Sequence, residues 1–174
     1  LAGHEIPDAE DVVATREQYL IVRKHGDAGR IARHGGAAVL IDYGTWDGGG
    51  DSLQALHAHR PCGIFDRPGQ SDLTAHVDFA PLAGAAIKAG AAASHPVPQG
   101  DWLLQLGIAQ RAERLAAAGD TGARAALDRL TAPAAMGQLF KAMALFPRRA
   151  PPPPGFAPLD RGPPHPLHFI EQTL

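Results

Sequence analysis

The sequence contains one cysteine, Cys62, among 174 residues, so no disulfide can form within the chain. A chain without disulfides suits a reducing compartment such as the cytoplasm. The formal net charge is only −2, which offers no electrostatic case for binding nucleic acid or an acidic membrane. No apolar run approaches the roughly 20 residues of a membrane span. Residues 1–13 lack the basic and then apolar order of a signal peptide. We therefore expect a globular, soluble protein.

Glycine and proline are frequent, with 20 and 16 residues. Together with the many alanines and arginines, this composition is typical of GC-rich genomes, so we expect a bacterial, cytoplasmic protein. The length and the 45% hydrophobic content suffice for one domain with a sizeable core. Because the chain begins with Leu1 and not methionine, we expect processing or truncation.

The first predicted unit is a helix followed by a strand. The segment "DAGRIARHGG", residues 27–36, has the pattern of a short helix that two glycines end. The apolar run "AAVLIDYG", residues 37–44, is predicted to be a buried strand. A helix, a glycine turn and a buried strand form the αβ step of a parallel sheet. The segment "DAEDVVATREQYLIVRK", residues 8–24, has helical composition but no clear apolar face.

A second helix is predicted after Asp78, whose side chain can cap the helix N-terminus. Gly90 ends this helix, and its apolar side chains follow helical spacing: Phe79, Leu82, Ala83, Ala86 and Ile87. The stretch "SLQALHAHR", residues 52–60, is predicted to be a short helical or irregular segment. Residues 61–78 are rich in turn-forming residues.

Four further segments complete the secondary-structure prediction. One strong helix is predicted over residues 101–119 and another over residues 120–132, ended by the following proline. Leu139 to Leu145 is predicted to be a closing strand. The Pro-rich residues 148–174 lack periodicity and are predicted to be an extended tail.

Six strings follow one another at characteristic spacings: "GGAAVLIDYG", "DSLQALHAH", "PGQSDLTAHVDFAPLAGAA", "PQGDWLLQLGIAQRAERL", "MGQLFKAMAL" and "PPGF". Together they resemble the C-terminal half of the MidA family, which are class I S-adenosylmethionine-dependent methyltransferases. Mitochondrial members of that family are protein arginine methyltransferases needed for assembly of respiratory complex I. The resemblance covers roughly residues 27–156 and is poor before them.

The resemblance implies an α/β fold, namely part of a class I methyltransferase (Rossmann-like) sheet with flanking helices. On that template "AAVLIDY" corresponds to the fifth strand, residues 91–95 to the sixth, and "LFKAMAL" to an antiparallel seventh. We expect three regions: a poorly matched segment 1–26, the methyltransferase half 27–147, and the Pro-rich tail 148–174.

The family's cofactor-binding features are not found in this sequence. The family has a Gly-rich loop close to "ELGPGRG" after its first strand, an acid ending the second strand, and "NEFFDALP" after the fourth. The loop "WDGGGDS" is rich in glycine, but it follows the wrong strand. We therefore expect a C-terminal fragment that is inactive alone, with S-adenosylmethionine bound mostly by an absent N-terminal half. The unpaired sheet edge of such a fragment could support self-association.

The first candidate site residues end the predicted strand: Asp42, Tyr43 and Gly44. They lie where open α/β sheets bind ligands, and the alternative is a simple turn. In "DLTAHVDF", Asp72, His76 and Asp78 could orient or deprotonate a guanidinium. The alternative is that Asp72 caps a turn, Asp78 caps the helix and His76 bonds to the backbone.

Two glutamines, Gln54 and Gln99, are candidates for substrate binding, and the alternative is a structural amide. No metal site is expected, because one cysteine and scattered histidines such as His57 and His59 do not form a zinc ligand set. Cys62 is not expected to be a nucleophile.

The resemblance implies a protein arginine methyltransferase in which Asp42 and His76 are catalytic. Tyr43, Gly44, Gln54, Asp72 and Gln99 would bind the substrate. The expected partner is a protein substrate, for example a subunit of a respiratory complex. The alternative hypothesis is a non-catalytic protein-interaction module or an inactive gene fragment.

Overall fold

The computed structural model describes residues 25–47 and 52–159. Five helices lie in these ranges: α1 His25–His34, α2 Phe79–Lys88, α3 Gln99–Gln105, α4 Ile108–Ala117 and α5 Ala123–Thr131. The strands there are β1 Ala38–Thr45, β2 Gln54–His57, β3 Arg60–Cys62, β4 Asp72–Thr74, β5 Val77–Asp78, β6 Ala91–Ala93, β7 Val97–Pro98 and β8 Phe140–Pro147. The segment 8–24, most of the "WDGGGDS" loop and the end of the tail lie outside the described residues.

The main sheet is built around β8. Its strand order is β5-β1-β8-β6, and β7 also pairs with β8. Strand β8 runs antiparallel to β1, β6 and β7, whereas β5 runs parallel to β1. All five residues from Ala142 to Phe146 are buried, which explains why this strand is a continuous apolar run. The predicted antiparallel closing strand is confirmed, with its ends shifted to Phe140 and Pro147.

The two faces of β8 pack into separate clusters. Met143 and Leu145 belong to the larger cluster, which α1 and α2 cover. Ala142, Ala144 and Phe146 face a smaller cluster with Trp102 of α3 and Phe156. The sheet is therefore sandwiched between helices on one face and a helix with an extended segment on the other.

The caps predicted for α1 and α2 are confirmed. Gly35 and Gly36 follow α1 with φ of 81° and 92°, a conformation that glycine adopts at low cost. Asp78 is the N-cap of α2, and its carboxylate accepts the N–H of Ala80 at 3.2 Å. Of the five apolar residues predicted to face the core, Ile87 is exposed. The apolar face of α2 therefore ends at Ala86.

The prediction of a single helix over residues 101–119 is wrong, because α3 and α4 are separate helices. Gly107 lies between them with φ of 84°, and this left-handed conformation redirects the chain. Leu106 and Leu115, two apolar residues of the predicted helix, are exposed. The next helix, α5, is confirmed and is followed by Pro133 in an irregular helical turn, Pro133–Gly137.

The helical or irregular prediction for residues 52–60 is also wrong. Strands β2 and β3 form a hairpin, and β4 pairs with the other side of β2. The two turn residues, Ala58 and His59, have φ of 48° and 62°. Alanine, leucine and histidine are compatible with a helix. Pairing of β2 with β4 stabilises the strand, however, and outweighs this local preference.

The segment 151–159, which we call the C-terminal strap, packs onto the sheet. The indole N–H of Trp102 donates to the carbonyl of Pro154 at 3.2 Å, and the side chain of Phe156 is buried. Ser94 pairs with Pro158, and Leu159 donates to the carbonyl of Ala93 at 2.9 Å. The strap therefore covers the β6 edge of the sheet.

Within the described ranges, no helix has both the length and the apolar character needed to cross a membrane.

Candidate functional site

The candidate site lies where the parallel strands β1 and β5 meet. Gly44 pairs with Val77, and Thr45 with Asp78. A Cβ added at Gly44 would lie 2.1 Å from the carbonyl oxygen of Val77, so this close approach of two backbones requires glycine. The carboxyl ends of parallel strands form the edge at which α/β proteins bind ligands.

Asp42 is half-buried near this end of β1. Its carboxylate accepts the backbone N–H of Tyr43 at 2.8 Å. Burial raises the pKa of Asp42 above its ordinary value of 3.8, and the hydrogen bond from Tyr43 offsets part of that rise. The result is a carboxylate with increased proton affinity, held in a defined orientation.

The Tyr43 ring contacts two other aromatic side chains. Its ring meets His76 edge to face at 5.7 Å and Phe140 edge to face at 5.5 Å, measured between ring centroids. The backbone N–H of His76 donates to the hydroxyl of Ser52 at 3.0 Å. The structure therefore brings the rings of Tyr43, His76 and Phe140 together. Consecutive side chains of a strand point to opposite faces, so the Asp42 carboxylate lies on the other face of β1 and meets Tyr43 only through the backbone N–H.

Sequence reasoning missed Phe140 and Lys141, which lie opposite Tyr43 and Asp42 in the β1–β8 ladder. Desolvation lowers the pKa of Lys141, and the charge of Asp101 offsets part of this effect. The Lys141 ammonium donates to the carbonyl of Gln138. Only the register of β8 on β1 reveals these neighbours, and no local sequence signal encodes that register.

Two acids lie just beyond Asp42. Asp47 follows β1, and Asp78 ends β5 as the N-cap of α2. Burial raises the pKa of Asp78, the hydrogen bond from Ala80 lowers it, and the charge of Asp47 raises it further. The capping role weighed for Asp78 in the sequence is thus confirmed.

The other three predicted site residues lie elsewhere. Gln54 and Asp72 are exposed on the small sheet formed by β2, β3 and β4. Gln99 is buried at the start of α3, and its amide donates to the carbonyl of Leu130 at 2.9 Å. This bond is the structural role weighed as the alternative for Gln99.

Within residues 25–47 and 52–159, no group of three or more His, Cys, Asp or Glu side chains could hold a metal ion. His57 Nδ1 lies 2.8 Å from the carbonyl oxygen of Gln70. Cys62 Sγ lies 3.5 Å from Ser71 Oγ, so both groups are engaged in local contacts.

The described residues do not form a cradle for S-adenosylmethionine. In the part of the chain that the structure describes, no glycine-rich loop leads from a strand into a helix N-terminus. Gly44 does not serve this purpose, because Val77 fills the space beside it. The glycines of "WDGGGDS" lie outside the described residues.

A family model described as "Putative S-adenosyl-L-methionine-dependent methyltransferase" matches residues 7–97, just over half of the chain. The mitochondrial protein arginine methyltransferase NDUFAF7 of Danio rerio is 35% identical over 122 residues, which are 66% of this chain and 28% of that protein. Its Drosophila melanogaster homologue is 36% identical over 125 residues, 69% of this chain and 29% of that protein. The chain thus spans less than a third of these relatives.

Two solved structures from Burkholderia thailandensis have the same fold over most of this chain. One, a superfamily member with S-adenosyl-homocysteine bound, has a TM-score of 0.63 and 30% identity, covering 76% of this chain and 36% of that one. The other, a native structure of the same superfamily, has a TM-score of 0.63 and 31% identity, covering 72% and 36%.

Proposed function

The chain belongs to the MidA-like family of S-adenosyl-L-methionine-dependent methyltransferases, and we propose that it forms the acceptor side of a protein arginine methyltransferase. The observation that carries this proposal is the half-buried carboxylate of Asp42 near the carboxyl end of β1, which the backbone N–H of Tyr43 holds in place. The two relatives from Danio rerio and Drosophila melanogaster are both named protein arginine methyltransferases, which supports arginine as the acceptor.

The chemistry of Asp42 suits a guanidinium. A carboxylate can hold a guanidinium through two parallel hydrogen bonds, and this fixes the nitrogen that is to be methylated. Burial raises the pKa of Asp42, so the carboxylate also has the proton affinity to receive the proton that a methylated nitrogen must lose. His76 is the second candidate for a catalytic role, since its ring lies against Tyr43.

The cofactor belongs to another part of the protein. S-adenosylmethionine supplies the methyl group when bound, and the described residues lack the glycine-rich loop that would hold it. This chain would then be a C-terminal fragment that needs an N-terminal half for activity. A bacterial cytoplasm, indicated by composition and the single cysteine, is the proposed location.

The proposed substrate-binding residues form two groups, one next to Asp42 and one farther from it. Tyr43 and Gly44 border the acceptor group itself. Gln54 and Asp72, on the small sheet, would contact more distant parts of a protein substrate such as a respiratory-complex subunit. Gln99 would act at most through the α3 N-terminus, since its amide already bonds to Leu130.

Isothermal titration calorimetry with S-adenosylmethionine tests the proposal. The chain is measured alone and after mixing with a second polypeptide. This polypeptide is the region of the Burkholderia thailandensis protein solved with S-adenosyl-homocysteine that the present chain does not match. Binding only in the mixture is expected. Binding by the chain alone would place the cofactor in this chain, with residues 46–52 the first segment to examine. No binding in either sample would favour the non-catalytic interaction module.

Asp42→Ala in the reconstituted enzyme tests the site itself. Turnover should fall by about 10²-fold or more, because a positioned proton acceptor contributes that much, while the dissociation constant of S-adenosylmethionine stays the same. Asp128→Ala is the matched control, since Asp128 is exposed on α5. Unchanged turnover in Asp42→Ala would remove Asp42 from the site.

A further inference from the structure

Lys141 lies beside Asp42 on one face of the main sheet. The β1–β8 ladder pairs Asp42 with Lys141 and, two residues along each strand on the same face, Leu40 with Met143. Leu40 and Met143 both pack in the larger core cluster. Directly opposite residues of an antiparallel pair have Cβ atoms about 4.5–5.5 Å apart. The carboxylate proposed to hold the acceptor group therefore has a lysine as its cross-strand neighbour.

The Lys141 ammonium is not bonded to Asp42. It donates to the backbone carbonyl of Gln138, three residues earlier in the chain. The salt bridge within the described ranges is that between Arg124 and Glu113, so Asp42 and Lys141 form none. The positive charge is thus held near the carboxylate, and the oxygens of Asp42 remain available to a ligand.

A positive charge close to a carboxylate favours its ionised form. We propose that Lys141 is a positioning residue of the acceptor site, whose charge keeps Asp42 ionised while the Gln138 carbonyl holds the ammonium off the carboxylate. A substrate guanidinium can then bind the free oxygens of Asp42. This inference rests on the proposed function for the identity of the ligand, but the effect of Lys141 on Asp42 does not require any ligand.

Burial and the charge of Lys141 act on Asp42 in opposite directions. Burial raises the pKa of Asp42, which favours the neutral carboxyl, whereas a guanidinium is held best by the ionised form. Desolvation lowers the pKa of Lys141, and the charge of Asp101 on α3 offsets part of that effect. Asp101 therefore helps to keep Lys141 charged, and Lys141 in turn helps to keep Asp42 charged.

Lys141 is distinguished from the other charged and titratable groups near this end of the sheet by its charge and its register. On its other side β8 pairs with β7, where the uncharged Pro98 is its partner. The other titratable groups come from further elements: Asp101 on α3, His95 after β6, His76 before β5, Asp47 after β1 and Asp78 at the end of β5. Lys141 is the cationic side chain that strand pairing places directly opposite Asp42.

Carbon-13 NMR of the full chain, labelled at its aspartate carboxyls, tests the charge coupling without cofactor or substrate. The Asp42 signal, assigned with Asp42→Asn, should titrate at a pH at least about 0.5 units higher in Lys141→Gln than in the wild type. Glutamine keeps a donor for the Gln138 carbonyl but has no charge. Lys141→Arg, which restores the charge, should restore the wild-type midpoint.

Lys88→Gln is the matched control, because Lys88 is exposed in the last turn of α2. It should leave the Asp42 midpoint unchanged. Lys141→Met is a second neutral variant, which keeps the test decisive if the glutamine variant does not fold. An Asp42 midpoint that does not rise in the neutral variants, or that rises equally in Lys88→Gln, would overturn the proposal.

The pH dependence of kcat/KM in the reconstituted enzyme, measured with S-adenosylmethionine and a peptide that contains one arginine, tests the role in catalysis. The acid limb should move to higher pH in Lys141→Gln by the shift seen in NMR, and Lys141→Arg should return it. An unmoved acid limb, with turnover still lost in Asp42→Ala, would overturn the role of Lys141 and leave the proposed function intact. If the wild type does not methylate the peptide, arginine is wrong as the acceptor, and the NMR shift alone decides whether Lys141 controls Asp42.

Discussion

The carboxylate of Asp42 accepts the backbone N–H of Tyr43 from only 2.8 Å away. This bond holds an acidic side chain in a half-buried position. The salt bridge found within the described ranges joins Arg124 and Glu113 on the surface, at 2.9 Å, so it does not involve Asp42. Burial therefore disfavours the ionised form of Asp42 and raises its pKa.

Asp42→Asn should stabilise the chain at pH 7. Burial raises the folded pKa of Asp42 above 3.8, so its favourable contribution is complete below the unfolded pKa and is lost as pH rises through the folded pKa. Asparagine keeps the acceptor for the Tyr43 N–H and carries no charge. Because Asp42 is only half-buried, the gain should stay below about 1 kcal/mol.

Urea unfolding of both proteins at several pH values checks this prediction. The difference in unfolding free energy should shrink as pH falls toward 4, where the wild-type carboxyl becomes protonated. A difference that grows as pH falls would contradict the assignment.

Gly44→Ala should destabilise the chain by about 3 kcal/mol or more, since its Cβ would lie 2.1 Å from the carbonyl oxygen of Val77 and backbone must move. Gly84→Ala is the matched control, because Gly84 lies within α2 and a Cβ there meets nothing within 4 Å. This control should stabilise by about 0.5–1 kcal/mol. Thermal and urea unfolding measure both effects, and changes of the same sign would refute the contact.

Ala58→Gly should stabilise the β2–β3 hairpin by about 1 kcal/mol, because Ala58 has φ of 48° and glycine adopts that conformation without the cost of a Cβ. The same substitution at Ala118, which has φ of −83° after α4, should destabilise slightly. Chemical denaturation of the two variants gives the comparison. Loss of stability in Ala58→Gly would show that another feature of this turn determines its energy.

Phe156→Ala should cost about 3 kcal/mol or more, because Phe156 is 9% exposed and packs on Ala142, Ala144 and Phe146. Phe65→Ala is the matched control, since Phe65 is 82% exposed and its loss should stay within about 0.5 kcal/mol. Differential scanning calorimetry separates the two. Equal melting temperatures would mean that the C-terminal strap adds nothing to stability.

The predictions that were confirmed rest on local chemistry. Asp78 was identified as a cap because its carboxylate and the N–H of Ala80 lie within one turn of chain. Gly35 and Gly90 ended helices because their positive φ values are accessible to glycine. The antiparallel position of β8 came from the family resemblance and not from periodicity.

The predictions that were wrong depend on contacts between distant segments. Residues 52–60 have helix-compatible side chains, yet they form strands because β4 supplies a pairing partner from further along the chain. The helix from Asp101 breaks at Gly107, where a single glycine within a helical pattern did not signal an interruption.

The sequence by itself therefore determined the caps, the glycine turns, the strand with Asp42, Tyr43 and Gly44 near its end, and the family. The prediction that this strand is buried is wrong, because Val39 and Ile41 are exposed and only Gly44 is buried. Only the tertiary structure decided that Tyr43 meets His76 and Phe140, that Lys141 lies opposite Asp42, and that the C-terminal strap covers the β6 edge of the sheet. The physical reason is that caps and turns are satisfied by neighbours in the chain. Strand register and edge pairing instead depend on residues that lie far apart along the chain, so no local sequence pattern predicts them.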